Sequence, residues 1–368
     1  MNILILGNGQ LGQMLGRAAI HYGHSCLLVD TKTDQVMPVG AYQAFSMTLQ
    51  EATAWADVVT WEHEQLQPEH VRVCGEKFLA PAEKVLTLTD RILEKSLCDE
   101  LSIATSPWQA FTNEDELRAM LSSSDTALVV KAAQGGYDGR SQWRFNGTQA
   151  LDTNDTGFNF TAAGAQAGIA EQMIAFHCEA SIVGARNQAG HICCYPLVEN
   201  IHRQGILSHT LAGLSDFPPH LQTQAEDAFQ RITEALEYVG TLAIEFFVVG
   251  EGEQARLLVN EIAPRVHNSG HWSMTGSHCD QFDLHIRALT ATPFPACLTP
   301  LPTVMLNVIG VEAIPDHVWP SDADPHWYGK DARPGRKVGH VNWLTSSRAE
   351  ALAFVDREQS KVQRLLDA

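Results

Sequence analysis

The chain has 368 residues, 45% hydrophobic and 18% charged, long enough for two or three domains each with its own core. A formal charge of −18 argues against nucleic-acid binding, because neutralising phosphates needs basic surface. No apolar run reaches the ~18 residues of a membrane span, no signal-peptide pattern opens the chain, and the eight cysteines follow no C-x-x-C or zinc spacing. A reduced cytoplasmic protein with small-molecule substrates is expected, with neither nucleic acid nor membrane as partner.

Residues 2–6 read as a short strand running into Gly7-Asn8-Gly9-Gln10-Leu11-Gly12. Leu11, Met14, Leu15, Ala18, Ala19 and Tyr22 then keep helical spacing, and 26–30 reads as the next strand. A G-x-G-x-x-G turn between strand and helix, with Asp30 ending the second strand, is the pattern of a dinucleotide site. A turn that only packs closely, or that holds some other phosphate, stays open beside it. Another strand, 57–60, leads to Trp61 and Glu62, and Leu93, Leu97 and Leu101 mark a helix joining the first domain to the second.

Further along, Asn113-Glu114-Asp115-Glu116 reads as a helix start with a capping box. A strand over 128–131 ends in Lys131, 132–141 is a glycine-rich loop, 146–157 is a polar loop, and 169–174 closes the middle section. Ala225, Phe229, Ile232, Leu236 and Val239 give a helix one apolar face, and Gly240 is placed to stop it. The apolar run 242–249 carries Glu245, and the turn 250–255 joins it to 257–259 as in a hairpin. Phe282, Ile286 and Leu289 keep helical register over 280–290.

The stretch 260–271 breaks from an apolar strand into residue types that bind metals and anions. Neighbouring strands lie roughly 4.8 Å apart, so Glu245 and Glu261 approach one another across the hairpin. Two such carboxylates suit hard cations holding a polyphosphate; solvated acids on a surface hairpin are the alternative. Arg265 suits bidentate phosphate contact, and His267, Asn268, Ser269 and His271 crowd further polar groups onto the loop. Lys131 with Gly135, Gly136, Gly139 and Arg140 suits phosphate, although no Gly-Lys-Ser/Thr closes a Walker A motif. Lys330, Arg333, Arg336 and Lys337 fall within eight residues, as an anion-binding loop or a solvated basic turn.

Together these segments resemble the ATP-grasp carboxylate–amine ligases and, within them, the N5-carboxyaminoimidazole ribonucleotide synthase family of purine biosynthesis. The likeness rests on 7–12, 135–140, 260–271, 326–328 and 333–340. It implies an α/β fold, α+β in the middle: a Rossmann-like pre-ATP-grasp domain over 1–98, a central ATP-grasp lid with the Gly-rich loop over 99–178, and a C-terminal ATP-grasp domain over 179–368. It implies ATP-dependent carboxylation of 5-aminoimidazole ribonucleotide by bicarbonate through carboxyphosphate, with ATP and two Mg²⁺ ions, in a homodimer. Carried over by position, ATP would meet Arg91, Lys131, Gly135, Gly136, Tyr137, Asp138, Gly139, Arg140, Ser141, Glu171, Gln172, Met173, Ile174, Glu179, His202, Asn260 and Glu261. The ribonucleotide would meet Glu62, Tyr137, Asp138, Arg140, Arg265, Lys330, Arg336 and Lys337. Arg265, His267, Asn268 and Lys337 would serve catalysis, and Glu245 and Glu261 would hold metal.

Three positions depart from the pattern. Ile262-Ala263 follows Glu261 where many ATP-grasp enzymes have Glu-x-Asn, and Ser141 and Met173 stand where glycine is expected. An NAD-dependent oxidoreductase is the rival from another class, but it leaves Lys131, the carboxylate pair and the basic loop unexplained. Another ATP-grasp carboxylate–amine ligase is the nearer alternative.

Overall fold

Short β-branched and leucine-rich runs, cut by glycine turns, build three sheets. The computed structural model describes residues 1–40, 44–63, 65–135, 142–145, 167–312, 314 and 318–366. In the first sheet β1 (Asn2–Leu6) runs parallel to β2 (Ser25–Asp30) and to β4 (Val58–Trp61), and β3 (Gln35–Pro38) pairs antiparallel with β2. Ile3, Leu4, Ile5 and Leu6 are all fully buried, as in a strand covered on both faces. The helix Gln10–His21 links β1 to β2, giving the βαβ start expected over 2–30.

The second sheet is antiparallel, in the order β5 (Trp108–Phe111), β8 (Gly168–Gln172), β6 (Leu128–Ala132), β7 (Gln142–Phe145). The helix Glu114–Ser123 packs Leu117 and Leu121 against it. Asn113 caps that helix by accepting from Glu116 N (2.9 Å), but the Glu116 carboxylate takes Thr112 N (2.7 Å), so half of the expected capping box forms. The expected loop over 146–157 and the glycine loop past Gly135 lie outside the described residues.

The third sheet has nine strands, among them β9 (Cys178–Arg186), β10 (Ile192–Cys194), β11 (Val198–Arg203), β12 (Ile206–Ala212), β13 (Gly240–Val249), β14 (Arg256–Ala263), β15 (Thr303–Ile309), β16 (Ala323–Trp327) and β17 (Lys337–Leu344). Its order is β14-β13-β9-β11-β12-β15-β17-β16, with β10 added beside β9. The helix Pro219–Ala235 ends earlier than its apolar spacing predicts: Leu236 caps it and Glu237 takes a left-handed φ of 49°. Gly240 is therefore not the stop but the first residue of β13, at φ 129°, where a Cβ would meet the His285 ring at 2.8 Å.

The first and third sheets share their cores. Leu4, Leu6 and Trp61 pack with Ile182, Phe229 and Val259, while Ile3, Ile5 and Leu15 pack with Val266, Phe282 and Ile286. The second sheet keeps a separate core of Phe111, Leu117, Leu121, Val130, Phe145 and Ala170. Among the described residues no helix is long and apolar enough to cross a membrane.

Candidate active site

The hairpin of β13 and β14 carries the acidic end of the site. Glu245 lies directly opposite Glu261, as the hairpin spacing predicts. The register then slips, because Glu261 pairs with Glu245 but Val259 pairs with Phe246, which leaves Asn260 as the extra residue of a β-bulge. Burial, then the charge of Glu261, raises the Glu245 pKa to about 7. His267 stands 3.8 Å from Glu245, but burial and then Arg265 hold its ring neutral, well below the usual range. Two carboxylates facing each other this way suit a cation. Among the described residues no third His, Cys, Asp or Glu joins them in a metal-binding group, so the remaining ligands of a bound ion would be oxygens of Asn260, water or phosphate, the type Mg²⁺ prefers.

Opposite stands a basic cluster from three elements. Lys131 on β6 pairs with Glu171 of β8 at 2.6 Å and donates to Asn260 Oδ1 at 3.3 Å. Lys95, on the helix Arg91–Glu100 and 1% exposed, takes the other Glu171 oxygen at 2.8 Å. Burial alone would raise the Glu171 pKa, but Lys131 and Lys95 outweigh it and hold it at about 2. The Arg91 guanidinium donates to Ala132 O (2.7 Å) and Gly135 O (2.8 Å), fixing the base of the glycine loop. His202 meets Glu179 at 2.7 Å, and Phe176 stacks on Phe247 at 4.7 Å.

The far end is built on the loop after β14. Its turn Asn268–Gly270 is capped by the His267 side chain. Ser269 is fixed by Ser181 (2.9 Å), itself bonded to Asn200 (2.8 Å). Both amide atoms of Asn268 are buried without a partner among the described residues, which leaves its NH₂ group to donate to a ligand and its carbonyl oxygen to accept from one. Lys330 donates to Gln10 Oε1 (2.9 Å), and Gln10 meets His271 (2.9 Å).

One cavity of about 1130 Å³ joins these groups. It is lined by Glu62, Arg91, Lys131, Gly135, Glu171, Gln172, Met173, Ile174, Glu179, His202, Glu245, Asn260, Glu261, Arg265, His267, Asn268, Lys330 and Lys337. Of the described residues to which the resemblance gives a role, Arg336 alone is not in that lining, donating instead to Asp331 O at 3.2 Å on its own loop; Ser269 and Arg333 are not in it either. Gly136, Tyr137, Asp138, Gly139, Arg140 and Ser141 lie outside the described residues. Arg91, Lys95, Lys131, Arg144, Arg265, Lys330 and Lys337 make seven of the chain's 25 Lys and Arg, against six of its 43 Asp and Glu (Glu62, Glu94, Glu171, Glu179, Glu245, Glu261). A strongly acidic chain thus concentrates its cations here, as anionic ligands require.

The dinucleotide reading of the glycine turn meets a physical obstacle. Glu62 already fills it, accepting from Gly9 N (2.6 Å) and Gly12 N (2.5 Å), the N–H groups a phosphate would use. A Cβ at Gly7 would lie 2.2 Å from Glu62 Cγ, so the cradle has no spare room.

A model of the ATP-grasp domain matches residues 96–282, one of the ribonucleotide synthetase preATP-grasp domain matches 1–89, and one of the phosphoribosylaminoimidazole carboxylase C-terminal domain matches 303–353. The chain is 37% identical over 347 residues to the N5-carboxyaminoimidazole ribonucleotide synthase of Vibrio cholerae serotype O1, covering 93% of this chain and 90% of that one. The chain belongs to the N5-carboxyaminoimidazole ribonucleotide synthase family. A solved synthetase of the family from Thermus thermophilus is 32% identical, with a TM-score of 0.80 over 99% of this chain and 98% of that one. The Staphylococcus aureus synthetase in complex with ADP is 26% identical, with a TM-score of 0.82 over 98% and 96%.

Within this family fold, sequence reasoning missed several lining residues. Phe247 shares a strand face with Glu245 two residues away, a period-two signal that could have found it. Glu94 and Lys95 carried no such signal, whereas Gln10 and His271, which also line the cavity, fall in the glycine turn and the polar loop that the sequence marks. Ala263, where many ATP-grasp enzymes have Asn, is buried, and the bulged Asn260 stands beside Glu261 instead. Met173 is exposed and borders the cavity.

Proposed function

We propose that this chain joins bicarbonate to the exocyclic amine of 5-aminoimidazole ribonucleotide at the expense of ATP, giving N5-carboxyaminoimidazole ribonucleotide, ADP and phosphate. The observation that carries the reading is the single cavity running from Lys131, Glu245 and Glu261 to Arg265, Asn268 and Lys337. It joins a polyphosphate end to a second anion-binding end in one space lined by described residues.

ATP lies along Arg91, Lys131, the loop from Gly135, and 171–174, with its base against Ile169, Val129 and Phe247. Glu245 and Glu261 hold Mg²⁺, expected as two ions, which when bound offsets charge on the phosphates. A bicarbonate oxygen attacks the γ-phosphorus and the bond to ADP breaks, leaving carboxyphosphate. The amine of the ribonucleotide then takes the carboxyl group and phosphate departs. Asn268, with its NH₂ group and carbonyl oxygen both unpartnered among the described residues, suits bicarbonate, while Arg265 and Lys337 offset the charge that develops beside it. Arg140, Tyr137 and Asp138 keep the substrate roles that the family resemblance implies, as does Arg336 once its loop meets a ligand. The proposed division 1–98, 99–178 and 179–368 draws support from the three sheets, although the helix Arg91–Glu100 spans its first boundary and β9 begins at Cys178, just before its second. A homodimer rests on the resemblance alone. A cytoplasmic setting suits the eight unpaired cysteines.

Phosphate release from ATP, measured with each component omitted in turn, tests the reading. Release should need both bicarbonate and the ribonucleotide. Equal rates without the ribonucleotide would point to a different amine acceptor, the province of another ATP-grasp ligase.

A further inference from the structure

β14 is the edge strand of the nine-stranded sheet, so its outer N–H and C=O groups have no further strand of that sheet to pair with. Beside an isolated bridge from Thr105 to Val259, the helix Arg91–Glu100 covers that edge and supplies two buried ionisable side chains to it. Lys95 Nζ donates to Val259 O and Asn260 O, each at 3.2 Å, and Glu94 accepts from Ile262 N at 3.1 Å. These groups flank the bulge at Asn260 on both sides. Lys95 and Glu94 are 1% and 5% exposed, an expensive placement unless each is fully bonded.

We propose that Lys95, assisted by Glu94, is the positioning residue of the acidic strand, holding the bulge that turns Asn260 and Glu261 side by side into the cavity. A regular strand would send successive side chains to opposite faces, and only the extra residue lets both line the same cavity. Lys95 gathers the two carbonyls around the bulge while also anchoring Glu171 of the second sheet. Although Lys95 borders the cavity, its side chain is spent on Val259 O, Asn260 O and Glu171, so its contribution to ligand binding runs through the geometry of Asn260 and Glu261. The inference rests on the metal reading of Glu245 and Glu261 but not on which amine is carboxylated.

Calorimetric titration of ADP into the full chain, with and without Mg²⁺, tests it through the factor by which Mg²⁺ tightens ADP. Lys95→Met should cut that factor about tenfold, as should Asn260→Ala, and the double variant should lose no more than about twofold beyond either single change. Should Lys95→Met fail to fold, Glu94→Ala removes the acceptor on the other side of the bulge and carries the same expectation. A Lys95→Met protein with lowered heat stability but an intact Mg²⁺ factor has only a structural lysine, and the proposal falls. It falls too if the losses in the double variant multiply. If ADP binding by the unaltered chain ignores Mg²⁺, the metal reading itself fails; absent ribonucleotide-dependent turnover would remove the proposed reaction and leave this inference standing.

Discussion

His285 ties the first sheet to the third through both nitrogens of its ring. Thr241 N–H donates to Nδ1 (3.0 Å), so the ring proton sits on Nε2 and is given to Thr60 Oγ1 (2.9 Å). Protonation would turn Nδ1 into a second donor facing that N–H, and burial already pushes the pKa down from 6.5 to about 4. Between those values the unfolded chain binds more protons than the folded one, so stability is full above pH 6.5 and is lost as pH falls towards 4. His209, also lowered to about 4 by burial, acts in the same sense. The loss should approach on the order of 1 kcal/mol per pH unit for each such ring. His285→Gln keeps an acceptor for Thr241 and a donor for Thr60 but has no proton to take up. Urea unfolding measured from pH 6.5 to 4 should show a shallower decline for this variant; an unchanged slope would place the acid sensitivity elsewhere.

At the level of elements, the glycine turn after β1 is a sequence pattern put to a structural use. Its N–H groups hold Glu62 from the end of β4, which locks two strands of the first sheet to the helix Gln10–His21. A Cβ at Gly12 would lie 2.4 Å from the Gly7 carbonyl oxygen, a backbone atom that cannot swing aside. Gly12→Ala should therefore cost about 1–3 kcal/mol in the denaturant midpoint analysis. A neutral result would mean that the turn relaxes freely. The helix Arg91–Glu100 teaches a different lesson. Leucine spacing located it, but Leu93 is 49% exposed, and the buried face carries Glu94, Lys95 and Cys98. Charged residues on a helix ordinarily mark the solvent side. Here they face inward because an edge strand 164 residues away has carbonyls to satisfy.

Across the whole molecule, the first and third sheets share cores, whereas the second sheet packs mainly on itself. Its links to the rest include the Lys95–Glu171 pair and the Lys131–Asn260 and Arg91–Gly135 hydrogen bonds. A unit held by a small core and a few polar links opens at lower free energy than the main body. Amides of β6 and β8 should therefore exchange with deuterium roughly tenfold faster or more than those of β1 and β13, and ADP should narrow the gap. Equal protection without ligand would mean that the three sheets unfold as one.

Much of this was open to reading from local pattern. The βαβ start, the hairpin and the Glu245–Glu261 pairing depend on residue period and turn glycines, which chain neighbours carry between them. The family likeness assigned Lys131 to ATP and Arg265, Asn268 and Lys337 to catalysis, and all four line the one cavity. The bulge at Asn260, the filling of the glycine turn by Glu62, and the bridging of Glu171 by two lysines came only with the folded chain. Each of them answers a buried charge or an unpaired backbone group with a partner from a distant segment. Local periodicity records which side chains avoid water, but it carries no mark of which remote polar group is left needing a partner.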